Sequence, residues 1–257
     1  MLSEWLNLIV RWIHVFAGIL WIGQTFLFTW MDRTLDREQS LWLVHSGGFY
    51  IVERQRVPKD LPQTLHWFRW EAALTWLSGV TLLIIVYYFG GLMDTQTLGG
   101  VLISIVVSLI LLALGWAVYD SVWISPLSKH ESAGGILSFI LFVAVTFALT
   151  HLMSGRAAYI HVGALLGTFM SGNVWFRILP FQRQMVAALN KGIPPDMSLG
   201  VRAKQRTKHN NYMVLTVVFI MISNHFPVAT YGNQYNWIVL TGLAIVGGVA
   251  AKLLRSR

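Results

Sequence analysis

Histidines and amides stand at both ends of one apolar segment of this sequence, Lys208 to Pro227, which reads KHNNYMVLTVVFIMISNHFP. His209 precedes the apolar run and His225 follows it. A helix rises about 1.5 Å per residue, so the two imidazoles would lie about 24 Å apart and could not serve one small site. Imidazole accepts protons near neutral pH and binds metals. The pattern therefore predicts two separate groups of histidines.

The first group contains His14, His151, His161 and His225. Arg11 precedes His14 by three residues and shares its helical face. Haem iron binds imidazole, and arginine pairs with carboxylates such as the haem propionates. We therefore predict haem b near the membrane surface at which these four histidines lie. His14 and His161 would be the ligands of its iron. Arg11 or Arg156 would bind the propionates, and His151 and His225 are the reserve ligands.

Small residues surround His161 in the segment GRAAYIHVGALLGTFMSGN, where Gly163, Gly167 and Ser171 are four residues apart. Such a stripe is typical of close helix–helix packing. A flat macrocycle lying against the helix needs the same absence of bulky side chains, and spacing alone does not separate the two interpretations. For His151 and His225, which end their segments, the alternative is an interfacial imidazole bonded to water or a loop carbonyl.

The second group lies at the opposite ends of the segments and contains His45, His66 and His209, with Glu71 and Asn210 nearby. These five residues are the predicted catalytic group. They could hold a polar heterocyclic substrate, a second haem or a metal ion. Helix capping accounts for an asparagine at a helix start, but it does not account for three imidazoles at one depth. His130, between Lys129 and Glu131, is assigned no role.

The elements that carry these residues are membrane helices. Of the 257 residues, 55% are hydrophobic and 12% are charged, with a mean hydropathy of +0.59. A soluble domain would have about twice that charged fraction. Seven segments are long enough to cross a bilayer, at about 5–31, 66–90, 98–120, 134–153, 156–179, 209–226 and 235–254. The predicted fold is an all-α transmembrane helix bundle, with residues 1–257 as one integral membrane domain.

Basic residues give this bundle an orientation. Seventeen of the 19 lysines and arginines fall on one side of the seven segments. Only Arg156 falls on the other side, and Arg11 lies within a segment. Basic loops stay in the cytoplasm, so the N-terminus is predicted outside and the C-terminus inside. The net charge of +8 is thus explained by orientation in a lipid bilayer, and no nucleic-acid partner is expected.

The chain has no cysteine. This excludes disulfides, iron–sulfur clusters and covalent haem attachment through a C-x-x-C-H motif. The N-terminus, MLSEW, has no basic region or small-residue cleavage site, so the first apolar segment is predicted to be a retained span.

Several long motifs, in order along nearly the whole chain, resemble one known family. They are WIHVFAGILWIG, HSGGFYIVERQ, LHWFRWEAALTWLSG, HVGALLGTFMSGNVW and HNNYMVLTVVFIMISNHFP. They are similar to the membrane domain of the bacterial membrane-bound urate oxidase (urate hydroxylase) family. The resemblance implies a multi-pass protein of the bacterial inner membrane that oxidises urate and passes electrons to cytochrome c.

One feature of that family has no counterpart in this sequence. The family's membrane domain is followed by a further helix and a C-terminal cytochrome c domain, whereas this sequence ends at KLLRSR after its seventh predicted span. We expect either a family member that reduces a separate cytochrome or other redox partner, or a relative with a changed substrate. A transporter or channel, and an accessory subunit of a respiratory complex, are the two other classes considered. A transporter usually has broken helices near the midplane and an internal repeat, neither of which the sequence shows.

Overall fold

The computed structural model describes residues 1–93 and 100–256, and this part of the chain is mainly helical. Its helices are α1 (Leu2–Thr34), α2 (Trp70–Leu82), α3 (Val101–Ile124), α4 (Glu131–Leu152), α5 (Gly155–Gly172), α6 (Leu179–Asn190), α7 (Met197–Ser223) and α8 (Asn236–Ser256). π-Helical turns continue α2 over Leu83–Tyr88 and join α5 to α6 over Asn173–Ile178, and a short 3-10 helix covers Pro126–Lys129. Strands β1 (Ser40–His45) and β2 (Gly48–Glu53) lie between α1 and α2.

Six helices of the described residues are long and apolar enough to cross a membrane, which supports a multi-pass membrane protein. They are Leu2–Thr34, Trp70–Tyr88, Val101–Ile124, Glu131–Leu152, Gly155–Asn190 and Asn236–Ser256. The prediction of seven spans is therefore met for six. The seventh, predicted at 209–226, overlaps the second half of α7, which begins 12 residues earlier and ends at Ser223. The first half of α7 carries Arg202, Lys204, Arg206 and Lys208.

The orientation of the chain remains a prediction. Termini on opposite sides of a bilayer require an odd number of crossings, and therefore require α7 to cross as well. The start of the span predicted at 98–120, and Arg257 among the basic residues, lie outside the residues that the structure describes.

The loop predicted between the first two spans contains a β-hairpin, so the all-α prediction is wrong for this segment. Trp42 pairs with Ile51 and Val44 with Phe49 across the two antiparallel strands. Ser46 and Gly47 form the connection with positive φ angles of 48° and 79°, as tight hairpins require. Apolar β-branched and aromatic residues favour the extended strands on either side.

Arg54 attaches this hairpin to the end of α1. Its guanidinium donates to the Asp32 carbonyl oxygen at 3.0 Å, to the Leu35 carbonyl oxygen at 3.1 Å and to Asp36 Oδ1 at 2.5 Å. The hydrogen bond from Arg54 lowers the pKa of Asp36, because it favours the ionised carboxylate. The hairpin is thereby held where α1 ends.

The most buried helix is α5, which contacts α2, α3, α4 and α7. Around it, α1 packs mainly on α2, and α8 packs on α7 and α4. The π-helical turn Leu83–Tyr88 follows α2, which contacts α5, and the turn Asn173–Ile178 continues α5 itself. A π-helical turn changes which residues face a neighbour and frequently occurs at functional sites. These turns place Tyr87, Tyr88 and Asn173 beside the groups described below.

Two glycines of α5 test the packing interpretation of its small-residue stripe. A Cβ atom at Gly163 would lie 2.9 Å from Ile220 Cγ2, whereas one at Gly167 would meet nothing within 4 Å. Ile220 is completely buried, so Gly163→Ala is expected to destabilise the protein by about 1–3 kcal/mol through overpacking. Gly167→Ala is the matched control and should be neutral or stabilising by up to about 1 kcal/mol. Thermal unfolding in detergent measures both, and equal effects would contradict the packing interpretation.

Candidate functional site

His161 lies in the middle of the bundle on α5, with a side chain that is 0% exposed. Its Nδ1 atom is 2.7 Å from the Ala157 carbonyl oxygen. A carbonyl only accepts hydrogen bonds, so Nδ1 carries the proton and Nε2 keeps a free lone pair. Nε2 is buried and has no hydrogen-bond partner among the described residues. An imidazole fixed through Nδ1–H with Nε2 free has the form that binds a metal.

Two tyrosines of the π-helical turn that continues α2 lie beside His161. The Tyr88 ring stacks at 6.4 Å and the Tyr87 ring stands edge-on at 6.2 Å, measured between ring centroids. The Tyr88 hydroxyl is 2.5 Å from Ser108 Oγ on α3. We call His161, Tyr87 and Tyr88 the His161 site. Its unpartnered nitrogen and aromatic walls are suited to an axially bound planar group.

Arg156 lies one turn from His161 at the start of α5. It donates through Nε to Asn224 Oδ1 at 3.3 Å and interacts with the Tyr87 hydroxyl. The guanidinium is therefore available at the edge of the His161 site, where the sequence predicts a partner for a carboxylate. Arg11 donates to Asn7 Oδ1 on its own helix at 2.7 Å and is exposed.

His14 of α1, like His161, places its Nδ1 atom close to a backbone carbonyl oxygen. Its Nδ1 atom lies 3.0 Å from the Thr75 carbonyl oxygen and 3.1 Å from Ser78 Oγ, so this ring also directs Nε2 away from its anchor. His14 contacts α2 near Ser78 and His161 contacts it near Tyr87, about 13 Å apart along a helix. Two nitrogens that share one metal ion lie only about 4 Å apart. The pairing of His14 and His161 on one iron stays a prediction. It would require the two imidazoles, which contact α2 at positions about 13 Å apart, to come close to the same iron.

His151 and His225 are both exposed. His151 Nδ1 is 2.7 Å from the Phe147 carbonyl oxygen, and its ring packs on Phe147 at 4.1 Å. Their exposed positions are those expected for imidazoles at the membrane interface. His161, in contrast, is completely buried. Their role as reserve ligands is untested.

A buried charged group that the sequence analysis did not identify lies at the other end of the bundle. Asp120 of α3 accepts from Arg177 Nε at 2.8 Å, from Arg177 Nη2, and from Arg206 Nη2 at 2.9 Å. The side chains of Asp120 and Arg206 are only 11% and 4% exposed, whereas that of Arg177 is 28% exposed. One carboxylate is therefore shared by one fully buried and one half-buried guanidinium.

Uncharged polar side chains extend this group between α3, α5 and α7. Asn173 accepts from Arg206 at 3.1 Å and donates to both Asn210 Oδ1 and the Tyr119 hydroxyl at 2.8 Å. The Tyr119 hydroxyl is 2.9 Å from His209 Nδ1, and Asn210 donates to the Met170 carbonyl oxygen at 3.0 Å. We call these residues, with Asp120, Arg177 and Arg206, the Asp120 network. Its members satisfy one another, which is typical of a network that fixes the positions of helices.

A second polar group lies where α1, the start of α2 and α7 meet. Gln24 of α1 donates to Glu71 Oε1 at 3.1 Å, and Asn211 of α7 donates to Thr29 Oγ1 at 2.8 Å. Two atoms in this region are buried without a hydrogen-bond partner among the described residues: Asn211 Oδ1 and Arg69 Nε. We call Gln24, Thr29, Arg69, Glu71 and Asn211 the Gln24 junction. These two atoms are a buried acceptor and a buried donor whose hydrogen bonds a polar ligand could complete.

Aromatic rings connect the parts of this junction. Phe28 and His66 both contact Phe68 edge-to-face, with ring centroids 4.8 Å and 4.5 Å away, respectively. The Trp70 and Trp175 rings are 6.0 Å apart. Trp21, Trp67 and Trp175 pack around the buried residues Ala72, Val174 and Leu179. Flat apolar surfaces therefore lie around the start of α2, where the Arg69 guanidinium is 5.4 Å from the centre of the Trp70 ring.

The five residues of the predicted catalytic group are divided by this arrangement. Glu71 belongs to the Gln24 junction, and His66 is exposed and packs on Phe68. His209 and Asn210 belong to the Asp120 network. His45 is exposed at the end of β1. Within the described residues, no group of three or more His, Cys, Asp or Glu side chains could hold a metal ion. The catalytic role of the five residues remains a prediction.

Comparison with known protein families identifies one that covers the whole sequence. The family model described as "Urate oxidase N-terminal" matches residues 1–257. No curated protein and no solved structure gives a significant match to the chain.

Proposed function

Because the chain belongs to the urate oxidase N-terminal family over residues 1–257, we propose that it is a membrane-bound oxidoreductase that oxidises urate or a closely related purine. The observation that carries this proposal is the His161 site, where a completely buried imidazole has a free Nε2 atom. Leaving such an atom unpaired costs about 1–3 kcal/mol. A bound ligand that uses this lone pair removes that cost.

The proposed ligand is haem b, held without a covalent bond. His161 Nε2 would coordinate the iron, the rings of Tyr87 and Tyr88 would lie beside the macrocycle, and Arg156 would pair with a propionate. Haem accepts and releases electrons singly. His14 is the proposed second ligand, of this haem or of another.

The proposed reaction removes two electrons from the purine. Urate and one water molecule give a hydroxylated purine, two protons and two electrons. The electrons leave one at a time to two molecules of cytochrome c or to another one-electron carrier. A base close to the purine has to accept the protons. Glu71 of the Gln24 junction is the proposed base, and His66, five residues before it in the sequence, is the alternative.

The Gln24 junction is the proposed substrate site. Asn211 Oδ1 would accept from a ring N–H, and Arg69 would donate to a ring carbonyl or to the anionic edge of the purine. Gln24 supplies a further amide, and its hydrogen bond to Glu71 fixes the orientation of that carboxylate. The tryptophan surfaces of the junction would lie against the planar ring.

Optical spectroscopy tests this function directly. The purified full chain is expected to show a Soret band, a b-type pyridine haemochrome and an α band on reduction with dithionite. Anaerobic addition of urate should reduce the same chromophore, and hypoxanthine serves as the purine control. A colourless protein would contradict the haem assignment. A colourless protein that moves urate into vesicles would identify a transporter.

The substrate site is tested by Asn211→Leu, with the exposed Asn190→Leu as a matched control. Loss of a hydrogen bond at a desolvated site costs about 1–3 kcal/mol, so the KM for urate is expected to rise about 10- to 100-fold. The haem content and the dithionite-reduced spectrum should stay unchanged, which separates substrate binding from folding. An unchanged KM in Asn211→Leu would exclude the Gln24 junction as the substrate site.

A further inference from the structure

One face of the β-hairpin between α1 and α2 is apolar and bare. Cross-strand partners point to the same side of a sheet, as do alternate residues along each strand. Trp42, Val44, Phe49 and Ile51 form two such pairs and therefore share a face. Their side chains are 65%, 70%, 77% and 56% exposed, respectively. Four large apolar residues thus form one continuous exposed surface, which we call the hairpin face.

The other side of the hairpin is different. Leu41, Leu43 and Val52 point to this opposite side and are half-buried, so the protein partly covers them. The one charged side chain of β1 and β2 is that of Glu53, which pairs with Ser40 at the open end of the hairpin and lies on the same side as Phe49 and Ile51. Its carboxylate can stay at the level of the headgroups, because it lies at the end of the hairpin that is tied to α1. The four apolar side chains lie between it and the turn, so no charge among them would have to be dehydrated if they entered an apolar environment.

The position of the hairpin follows from α1. The stretch from Trp12 to Met31 contains no Asp, Glu, Lys or Arg and has 20 residues, or about 30 Å of helix, which is the thickness of a bilayer's hydrocarbon core. Asp32 therefore lies at the membrane boundary. Arg54 ties the hairpin to Asp32, Leu35 and Asp36, so the hairpin begins at that boundary.

We propose that the hairpin face is a membrane-interface anchor, with Trp42, Val44, Phe49 and Ile51 inserted among the lipids of the leaflet next to the end of α1. Tryptophan and other aromatic residues are enriched at this depth. The lipid bilayer is favoured over a second copy of the chain because the hairpin face has no charge among its four apolar side chains and starts where α1 leaves the hydrocarbon, which places Glu53 at the level of the headgroups. The anchor would hold the chain between α1 and α2, and with it the start of α2, close to the membrane.

The natural absence of cysteine makes the test direct. Phe49→Cys provides a single thiol on the hairpin face, and Tyr50→Cys provides one on the opposite side, one residue away. Each full-length variant is labelled with an environment-sensitive NBD dye and reconstituted into phospholipid vesicles. The label at position 49 should emit at shorter wavelength than the label at 50. It should be quenched more strongly by lipids carrying a nitroxide near the headgroup, and less by aqueous iodide.

Two results would overturn this inference. Equal iodide quenching at positions 49 and 50 would show that the hairpin face lies in water. Protection at 49 that depends on the protein-to-lipid ratio, without quenching by nitroxide lipids, would show that a second copy covers the face. Val44→Cys and Leu43→Cys repeat the comparison on β1, so that one poorly folded variant does not decide the outcome. The readout is independent of haem and urate.

Discussion

Replacing His161 by leucine is expected to abolish the b-type haem spectrum of the protein and, with it, the reduction of that chromophore by urate. The leucine side chain fills a similar volume in the middle of α5 but offers no lone pair. His161 is the one histidine of the described residues whose Nε2 atom is buried and without a partner. Pyridine haemochrome analysis of the purified variant, normalised to protein, measures the loss.

The stability of the same variant gives a second, independent result. In a protein without a ligand at His161, leucine would remove an unsatisfied buried nitrogen, so the variant would be as stable as the wild type or more stable. With haem bound to the native state, the wild type gains the binding free energy and the variant does not. The wild type should therefore unfold at a higher temperature. The opposite order would refute His161 as a ligand.

His151→Leu is the matched control for both measurements. His151 ends α4, is exposed, and bonds only to the Phe147 carbonyl of its own helix. We expect an unchanged haem content and a change in unfolding free energy within about 0.5 kcal/mol, as for other surface substitutions. A loss of haem in this variant would instead support the reserve-ligand prediction.

The membrane class and the approximate positions of six spans could be predicted from sequence because they depend on one simple quantity, the length of each apolar run. The α3 and α4 helices, Val101–Ile124 and Glu131–Leu152, lie within a few residues of the predicted 98–120 and 134–153. Helix ends outside the membrane follow different rules. The helix predicted to end at 179 continues to Asn190. The residues after 179 are amphipathic, so the length of an apolar run does not predict this extension.

The grouping of side chains was harder to predict than the spans. Depth in the membrane follows from position in the sequence, so His209 and His66 are predicted at the same ends of their segments. Depth does not determine the direction in which a side chain points around its helix. His209 faces Tyr119 and Trp123, whereas His66 packs on Phe68. One predicted group thus falls into two.

Asp120 illustrates a signal that the sequence does contain. A carboxylate within the apolar segment LGWAVYDSVWI is costly unless it is paired, and usually marks a functional or structural site. Its partners could not have been identified from spacing, because Arg177 and Arg206 are 57 and 86 residues away in sequence. From sequence alone, both arginines indicate only the orientation of the chain. Their neighbour Asn173 lies on a π-helical turn, which changes the face that a regular helix would present.

Replacing Asp120 by asparagine is expected to be the most destabilising substitution in the Asp120 network. Arg206 would keep its charge in a position that is only 4% exposed, and breaking a buried ion pair in this way costs about 3–5 kcal/mol. For a chain of this size that corresponds to a fall in Tm of roughly 10 °C. Thermal unfolding in detergent, or recovery of folded protein by size-exclusion chromatography, measures the change. The control is Glu131→Gln, which breaks the exposed pair of Glu131 with Lys208 and should cost at most about 1 kcal/mol.

The two arginines predict an order of effects that a general loss of packing would not produce. Arg177→Met leaves Asp120 paired with Arg206, and Arg206→Met leaves it paired with Arg177, so each single change should cost less than Asp120→Asn. In the double variant Asp120→Leu with Arg206→Met, no unpaired charge stays fully buried, because Arg177 is 28% exposed and can reach water or headgroups. Its stability should therefore exceed that of Asp120→Asn, since replacing a buried ion pair by apolar residues is often neutral. If the double variant were instead the least stable of the four, Asp120 would contribute more through its shape and packing than through its charge.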